Sequence, residues 1–236
     1  MEKGYNTVLT IILVISIAAI IVLAGFWGYD AYIKYKTEQD ALKAIEEFQN
    51  MIMQNQNNTP VQNEVVENTV QQEPTVQEPE QEPEQPITNT NKPTTSGGNS
   101  GNYNKYKNFT ILGQIEIPKT KVSYPVLAES SPKALNVAVS QLYGPGLNKI
   151  GNTVIIGHNN RNGLFFSNNK KLSIGDVVYI TDSNGNKLTY KIYNKYETTD
   201  TDTEYMTRDT MGTREISLST CTDDGSRRIV IWARAD

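Results

Sequence analysis

Residues 55–102 hold six of the chain's ten prolines and no aromatic side chain. A run such as EPTVQEPEQEPEQP cannot bury enough apolar surface to offset the entropy of ordering it, so this composition predicts a disordered, partly extended tether. At roughly 3.1 Å per residue in polyproline-like stretches, it would reach on the order of 100 Å, a spacer for a domain that works away from its point of attachment. Folding is thereby confined to the two flanks, and these differ in charge. Residues 1–102 carry a net −8 and residues 103–236 a net +4, which together make the −4 of the whole chain. A surplus of +4 spread over the C-terminal flank is no nucleic-acid footprint.

On the N-terminal flank no charged residue lies between Lys3 and Asp30, and residues 7–27 are nearly continuous Ile, Val, Leu and Ala. A membrane-crossing helix needs about 20 apolar residues, and Trp27, Tyr29 and Tyr32 follow where an interfacial aromatic belt belongs. A cleaved signal peptide is the rival reading, but its apolar core is shorter and ends in a small-x-small site. Ala24-Gly25-Phe26 is a poor site of that kind, and no lipoprotein cysteine follows Ala24-Gly25. Residues 7–29 are therefore expected to form an uncleaved anchor after a short segment, 1–6. Lys3 precedes the run while Lys34 and Lys36 follow it, so the positive-inside count leaves orientation open. Residues 30–54 have helical composition, with Ala41, Leu42, Ile45, Phe48 and Ile52 at helical spacing. They are expected to continue the anchor as a juxtamembrane stalk, with self-association as the alternative.

From Tyr103 the composition becomes that of a β-rich domain, 103–236. Residues 109–117 and 121–127 read as strands, the first closed by Pro118. Residues 131–142 read as a helix, with Ser131 as N-cap and Pro132 in the first turn. Residues 152–157 read as a buried strand ending at His158. Residues 176–181 and 187–196 read as a hairpin across Asn184-Gly185. A polar loop, 197–213, leads to a closing hairpin, 216–232. Seven or eight short strands with one or two helical pieces indicate a mainly β fold, a compact barrel or sandwich.

The closing hairpin, ISLSTCTDDGSRRIVIW, contains the only cysteine, Cys221, so no internal disulfide is possible. Successive strand residues face opposite sides, which puts Ile216 and Leu218 on one face and Ser217, Ser219 and Cys221 on a polar, solvent-facing one. In the second strand Arg228 lies opposite Ile229, Ile231 and Ala233. Arg227 has the parity of that apolar set, where an unpaired charge would be costly to bury, so Arg228 is expected beside the thiol. The only histidine, His158, opens the Gly/Asn-rich loop GHNNRNG, the kind of segment that displays functional side chains. A thiol attacks carbonyls as the thiolate and needs a proton acceptor or a nearby positive charge. Imidazole serves as acceptor and later donor near neutral pH, and a guanidinium is a fixed donor for an oxyanion. On residue types alone, a structural cysteine, a loop histidine and a surface arginine remain open, because sequence separation does not report spatial contact.

Leu218-Ser219-Thr220-Cys221, followed after six residues by Arg228 and an apolar strand, resembles the signature of the sortases, membrane-anchored cysteine transpeptidases of Gram-positive surfaces. The resemblance extends to the Gly-His closing residues 152–158, to residues 159–166, to the Leu172…Gly175-Asp176 spacing, and to Ile115-Glu116-Ile117-Pro118…Tyr124-Pro125-Val126-Leu127. It thus spans residues 109–234. It implies a sortase-like β-barrel of about eight strands with one or two short helices, preceded by a transmembrane helix and a disordered tether. It also implies a two-step acyl transfer. Cys221 would attack the Thr–Gly carbonyl of an LPxTG-like sorting signal, His158 would act as general acid and base, and Arg228 would stabilise the oxyanion or bound backbone. An amine of peptidoglycan or of its lipid-linked precursor would resolve the thioester.

The same resemblance assigns substrate-positioning roles to Thr220 and to Ile156, where many sortases have a smaller residue. Ser217 stands where threonine is common. Topology would follow the family, N-terminus inside, tether and barrel outside, with sorting-signal-bearing surface proteins as partners. No Asp-Pro-aromatic lid motif precedes the barrel, which argues against the lidded pilin polymerases. The segment around 157–165 is class-B-like, and Tyr143-Gly144-Pro145-Gly146 is closer to class A or D. No cofactor is implied. Glu197, Asp200, Asp202, Glu204 and Asp209 make calcium the one metal to consider, against the reading of a solvated acidic loop. Competing functions are a cysteine hydrolase of the same fold and a non-catalytic, tethered wall-binding module. The Ser-His-Gly-Cys signature of the L,D-transpeptidases is absent.

Overall fold

Nine strands and three α-helices make up the computed structural model, which describes residues 2–57 and 105–235. The helices are α1 (Glu2–Asn57), α2 (Pro132–Leu135) and α3 (Glu204–Thr207). The strands are β1 (Lys105–Tyr106), β2 (Phe109–Ile117), β3 (Val122–Leu127), β4 (Val139–Tyr143), β5 (Gly151–Ile156), β6 (Val177–Asp182), β7 (Lys187–Thr199), β8 (Arg214–Cys221) and β9 (Arg227–Ala235). From residue 58 onward, the expected tether lies outside the described residues.

The strand order β2-β3-β4-β5-β8-β9-β7-β6 returns to β2 through a β2–β6 pairing, which closes an eight-stranded barrel. Closure satisfies the backbone groups that an open sheet would leave on its edges. β3–β4 and β5–β8 are parallel. The latter pairing matters most for function, because it brings the ends of β5 and β8 to the same rim. Ile115, Ile155, Ile180, Ile192, Ile216, Leu218 and Ile231 fill the interior.

β2 coincides with the expected strand, and β3 starts one residue later than predicted. Their pattern is local, and Pro118 stops β2 where the sequence says it should. The 182–186 turn forms as expected, with Gly185 at φ +85° and its N–H donating to the Asp182 carbonyl at 3.0 Å. The helix expected over 131–142 is corrected. Ser131 does cap it, accepting from Ala134 N at 3.3 Å, but it ends at Leu135. Residues 139–143 form β4 instead, because a strand is needed there to join β3 to β5 and a helix would leave both edges unpaired.

Residues 30–54 continue the apolar run as a helix and, in addition, pack on the barrel. α1 is one continuous 56-residue helix whose apolar N-terminal part is exposed, and from Leu9 it is long and apolar enough to cross a membrane. Its C-terminal part lies on the barrel. Ala44, Phe48 and Ile52 pack with Tyr106, Ile111, Leu127, Ala134 and Ala138, and Gln49 Nε2 donates to Gln114 Oε1 at 2.9 Å. The helical stripe legible in the sequence was therefore a docking face, satisfied within the same chain.

Candidate active site

Gly157 carries the chain out of β5 and into the loop headed by His158. A Cβ there would stand 2.9 Å from Val139 Cγ1 and 3.0 Å from Phe166 Cδ2, so the position has no room for a side chain. The loop folds back on itself. Phe166 N donates to the His158 carbonyl at 3.1 Å and Asn160 N to Ser167 Oγ at 3.1 Å. Phe165, at φ +51°, is buried with its ring 5.1 Å from that of Tyr124. Tyr124's hydroxyl pKa is pushed up to about 12 by burial.

Backbone pairing brings the chain ends that carry His158, Cys221 and Arg228 to one rim of the barrel. In the parallel β5–β8 ladder Ile156 is opposite Ser219, and Gly157 N continues it by donating to the Ser219 carbonyl at 3.3 Å. His158 follows two residues after the last β5 pair, and Cys221 ends β8 two residues after that pair's Ser219. Asn159 Nδ2 ties the two ends together, donating to the Cys221 carbonyl at 3.0 Å and to Asp223 Oδ1 at 2.9 Å. In the antiparallel β8–β9 ladder Cys221 is directly opposite Arg228, which puts both side chains on one face. Arg228 Nη1 donates to Cys221 Sγ at 3.5 Å. The thiol is half-buried, neither sealed in the interior nor freely exposed. Arg227 is exposed and turns to Glu197 instead, donating through Nη2 to its carbonyl at 3.2 Å.

Two expectations about this face need revision. Ser217 and Ser219 do share the face of Cys221, but they are fully buried and not solvent-facing. The segment carrying α3 covers them. Ser217 Oγ donates to Asn152 Oδ1 at 2.9 Å, and the Tyr205 hydroxyl donates to Ser219 Oγ at 3.4 Å. Polar groups lie inside here because their hydrogen bonds are made there. Thr220, read as a substrate-positioning residue, has the parity of Ile216 and Leu218. It is 2 % exposed on the interior side, with no partner for its hydroxyl among the described residues, and so is not on the face shared by Cys221 and Arg228. Ile156 is on that face, half-buried against Val154, Tyr205 and Val230.

The 197–213 loop, read as polar and acidic, turns out to be a packed wall. Asn152 Nδ2 donates to the Tyr205 and Met206 carbonyls at 2.9 and 3.0 Å. Arg208 hydrogen-bonds to buried Glu215, to the Tyr193 hydroxyl and to Asn152 Oδ1, and lies 4.5 Å from the Trp232 ring centre. Arg234 Nε donates to Glu215 Oε1 at 2.7 Å. An open pocket of about 540 Å³ results, lined by Tyr196, Tyr205, Arg208 and Trp232 among others. The sequence signal for this wall was Tyr205-Met206, an apolar pair inside an otherwise polar stretch. Asp202 and Asp209 instead accept from backbone N–H groups of Glu204 and Met211. Among the described residues no three His, Cys, Asp or Glu side chains are grouped to hold a metal ion.

A model of the sortase domain matches residues 115–236. Sortase A from Corynebacterium diphtheriae is similar at 25% identity and a TM-score of 0.50, over 54% of this chain and 61% of that one. The lid mutant of the same protein gives the same identity and TM-score, over 54% and 71%. Sortase C-1 from Actinomyces oris is 25% identical with a TM-score of 0.49, over 53% and 72%. The chain thus spans less than two thirds of the C. diphtheriae sortase A chain. No curated protein matches. With the domain match covering more than half of its length, and ending on the two strands that carry Cys221 and Arg228, the chain belongs to the sortase family.

Proposed function

We propose that this protein is a membrane-anchored cysteine transpeptidase. In this reading it cleaves an LPxTG-like sorting signal, releases the Gly side, and transfers the acyl side held on Cys221 to an amine of the cell wall or of its lipid-linked precursor. The observation that carries it is the rim itself: Arg228 Nη1 at 3.5 Å from Cys221 Sγ, with His158 in the loop that follows the adjoining parallel strand. Cys221 sulfur attacks the scissile carbonyl, and its proton passes to His158. The carbonyl oxygen becomes an oxyanion facing the Arg228 guanidinium. Collapse breaks the C–N bond, His158 returns the proton to the leaving amine, and a thioester remains on Cys221. An incoming amine then attacks the thioester, His158 takes its proton, and the thiol is restored. Ile156 would contribute apolar surface to the bound signal, whereas Thr220 would act from behind the nucleophile's strand. No cofactor enters these steps.

The apolar part of α1 supports a single-pass anchor, and membership of the sortase family supports placing the barrel outside the cytoplasm. The test uses the full chain in detergent with a library of quenched peptides carrying LPxTG-like variants. Amine-dependent product that disappears in Cys221→Ala is the expected result. Cleavage indifferent to added amine would make the protein a hydrolase, and no cleavage of any peptide would favour the wall-binding module.

A further inference from the structure

α1 does not touch the barrel at random points along its length. Starting from the anchor, Lys34 comes first, its Nζ 3.0 Å from where a Cβ on Gly163 would stand, within the loop headed by His158. Asp40 then pairs with Lys107 at 3.2 Å, and Gln49 bonds Gln114. Last come Ile52, whose Cγ2 is 2.7 Å from the Cβ position of Gly185, and Gln56, donating to the Asn184 carbonyl at 3.1 Å. The helix therefore runs from the His158 loop to the β6–β7 turn. These mark opposite ends of the barrel. β7 begins at that turn and runs for 13 residues to Thr198 and Thr199, which are opposite Arg228 and Arg227.

At 1.5 Å per helical residue, Lys34 is about 10 Å beyond Trp27, and Gln56 about 45 Å beyond it. We infer that α1 is a clamp holding the barrel with its catalytic rim toward the bilayer and its β6–β7 turn away from it. This rests on the anchor reading above. It replaces the picture of a domain reaching outward on a long tether, since residues 58–104 join two elements that are already packed together. The partner this orientation presents to the rim is the membrane surface, so the site would meet its substrates there.

The test reconstitutes the full chain in vesicles bearing an energy-transfer acceptor on the lipid headgroups. One sample carries the donor on Cys221, the sole thiol. The other carries it on Asn184→Cys in a Cys221→Ala background. Transfer at least twofold stronger from Cys221 is expected, and equal or reversed transfer in vesicle-bound protein would overturn the orientation while leaving the anchor intact. Failure to float with vesicles would sink the anchor reading and this inference with it. Phe48→Asp combined with Ile52→Asp should reduce the transfer from Cys221, whereas unchanged transfer would mean that the helix contact does not seat the barrel. A short bis-maleimide should link Gln49→Cys to Gln114→Cys within one chain, in Cys221→Ala, in the vesicle-bound state. Absence of that link would count against the clamp whatever the charged variants do.

Discussion

At the scale of single residues, the site depends on where two strand ends stop. Gly157 is necessary because Val139 and Phe166 close over it. Gly157→Ala is expected to cost about 1–3 kcal/mol through overpacking and to displace His158. Thermal denaturation alongside peptide cleavage would show both effects. Arg228 has a different kind of role, since the hydrogen bond its guanidinium makes among the described residues is to the sulfur. Arg228→Ala should lower kcat/KM by about 10²–10³-fold, the loss typical of one oxyanion donor, with Tm nearly unchanged. Equal losses of activity and stability would instead make Arg228 a structural residue. The residue types were legible in the sequence, one thiol, one imidazole and an arginine of the right parity. Asn159, which ties the two strand ends together, was not, because an asparagine in a Gly/Asn-rich loop gives no sign of which carbonyl it will meet.

At the scale of elements, the outer face of β5, β8 and β9 is held under the α3 segment by one buried carboxylate. Glu215 has a fully buried side chain, bonded by Tyr193, Arg208 and Arg234. Burial pushes its pKa up, but those hydrogen bonds outweigh burial and leave it below the ordinary 4.5. A carboxyl depressed in the folded state stabilises fully above its unfolded pKa, and that stability is lost as pH falls through the folded one. Tm should therefore be steady through neutral pH and fall as pH drops below about 4.5. Glu215→Gln should be less stable at pH 7 and show a smaller acid drop. Glu215→Ala should be clearly destabilising, since it leaves the partly buried Arg208 without its carboxylate partner. The sequence showed Glu215 as one more charge beside a strand. Its burial follows from partners drawn from β7, β9 and the loop before β8, and no local pattern encodes that.

At the scale of the whole molecule, the barrel and α1 share an apolar interface. A chain starting at Tyr103 would expose Tyr106, Ile111, Leu127 and the Ala134–Ala138 surface that Phe48 and Ile52 now cover. Burying side chains of this size contributes about 1.5–3 kcal/mol each, so the shortened chain should melt several degrees below one starting at Asp30. It should also bind an apolar dye that the longer chain excludes. Equal melting temperatures would show that the interface adds nothing to the barrel. The same contact explains why the heptad-like spacing of Ala41, Ile45, Phe48 and Ile52 was visible while its destination was not. A stripe states that a face must be covered, and a stalk, a second copy or the chain's own barrel would each cover it.

By itself the sequence determined whatever rests on neighbours along the chain. Strand alternation in β2 and β8, the Asn184-Gly185 turn, the Ser131 cap, the apolar run of α1 and the family signature around Cys221 all belong here. The tertiary structure alone decided β4 over a longer helix, the burial of Ser217, Ser219 and Glu215, the inward side of Thr220, and the seat of α1 on the barrel. Each of these is set by a partner distant in sequence. Closing a barrel assigns backbone pairs and covered faces by what comes to lie alongside, and a local preference gives way wherever it would leave such a pair unmade.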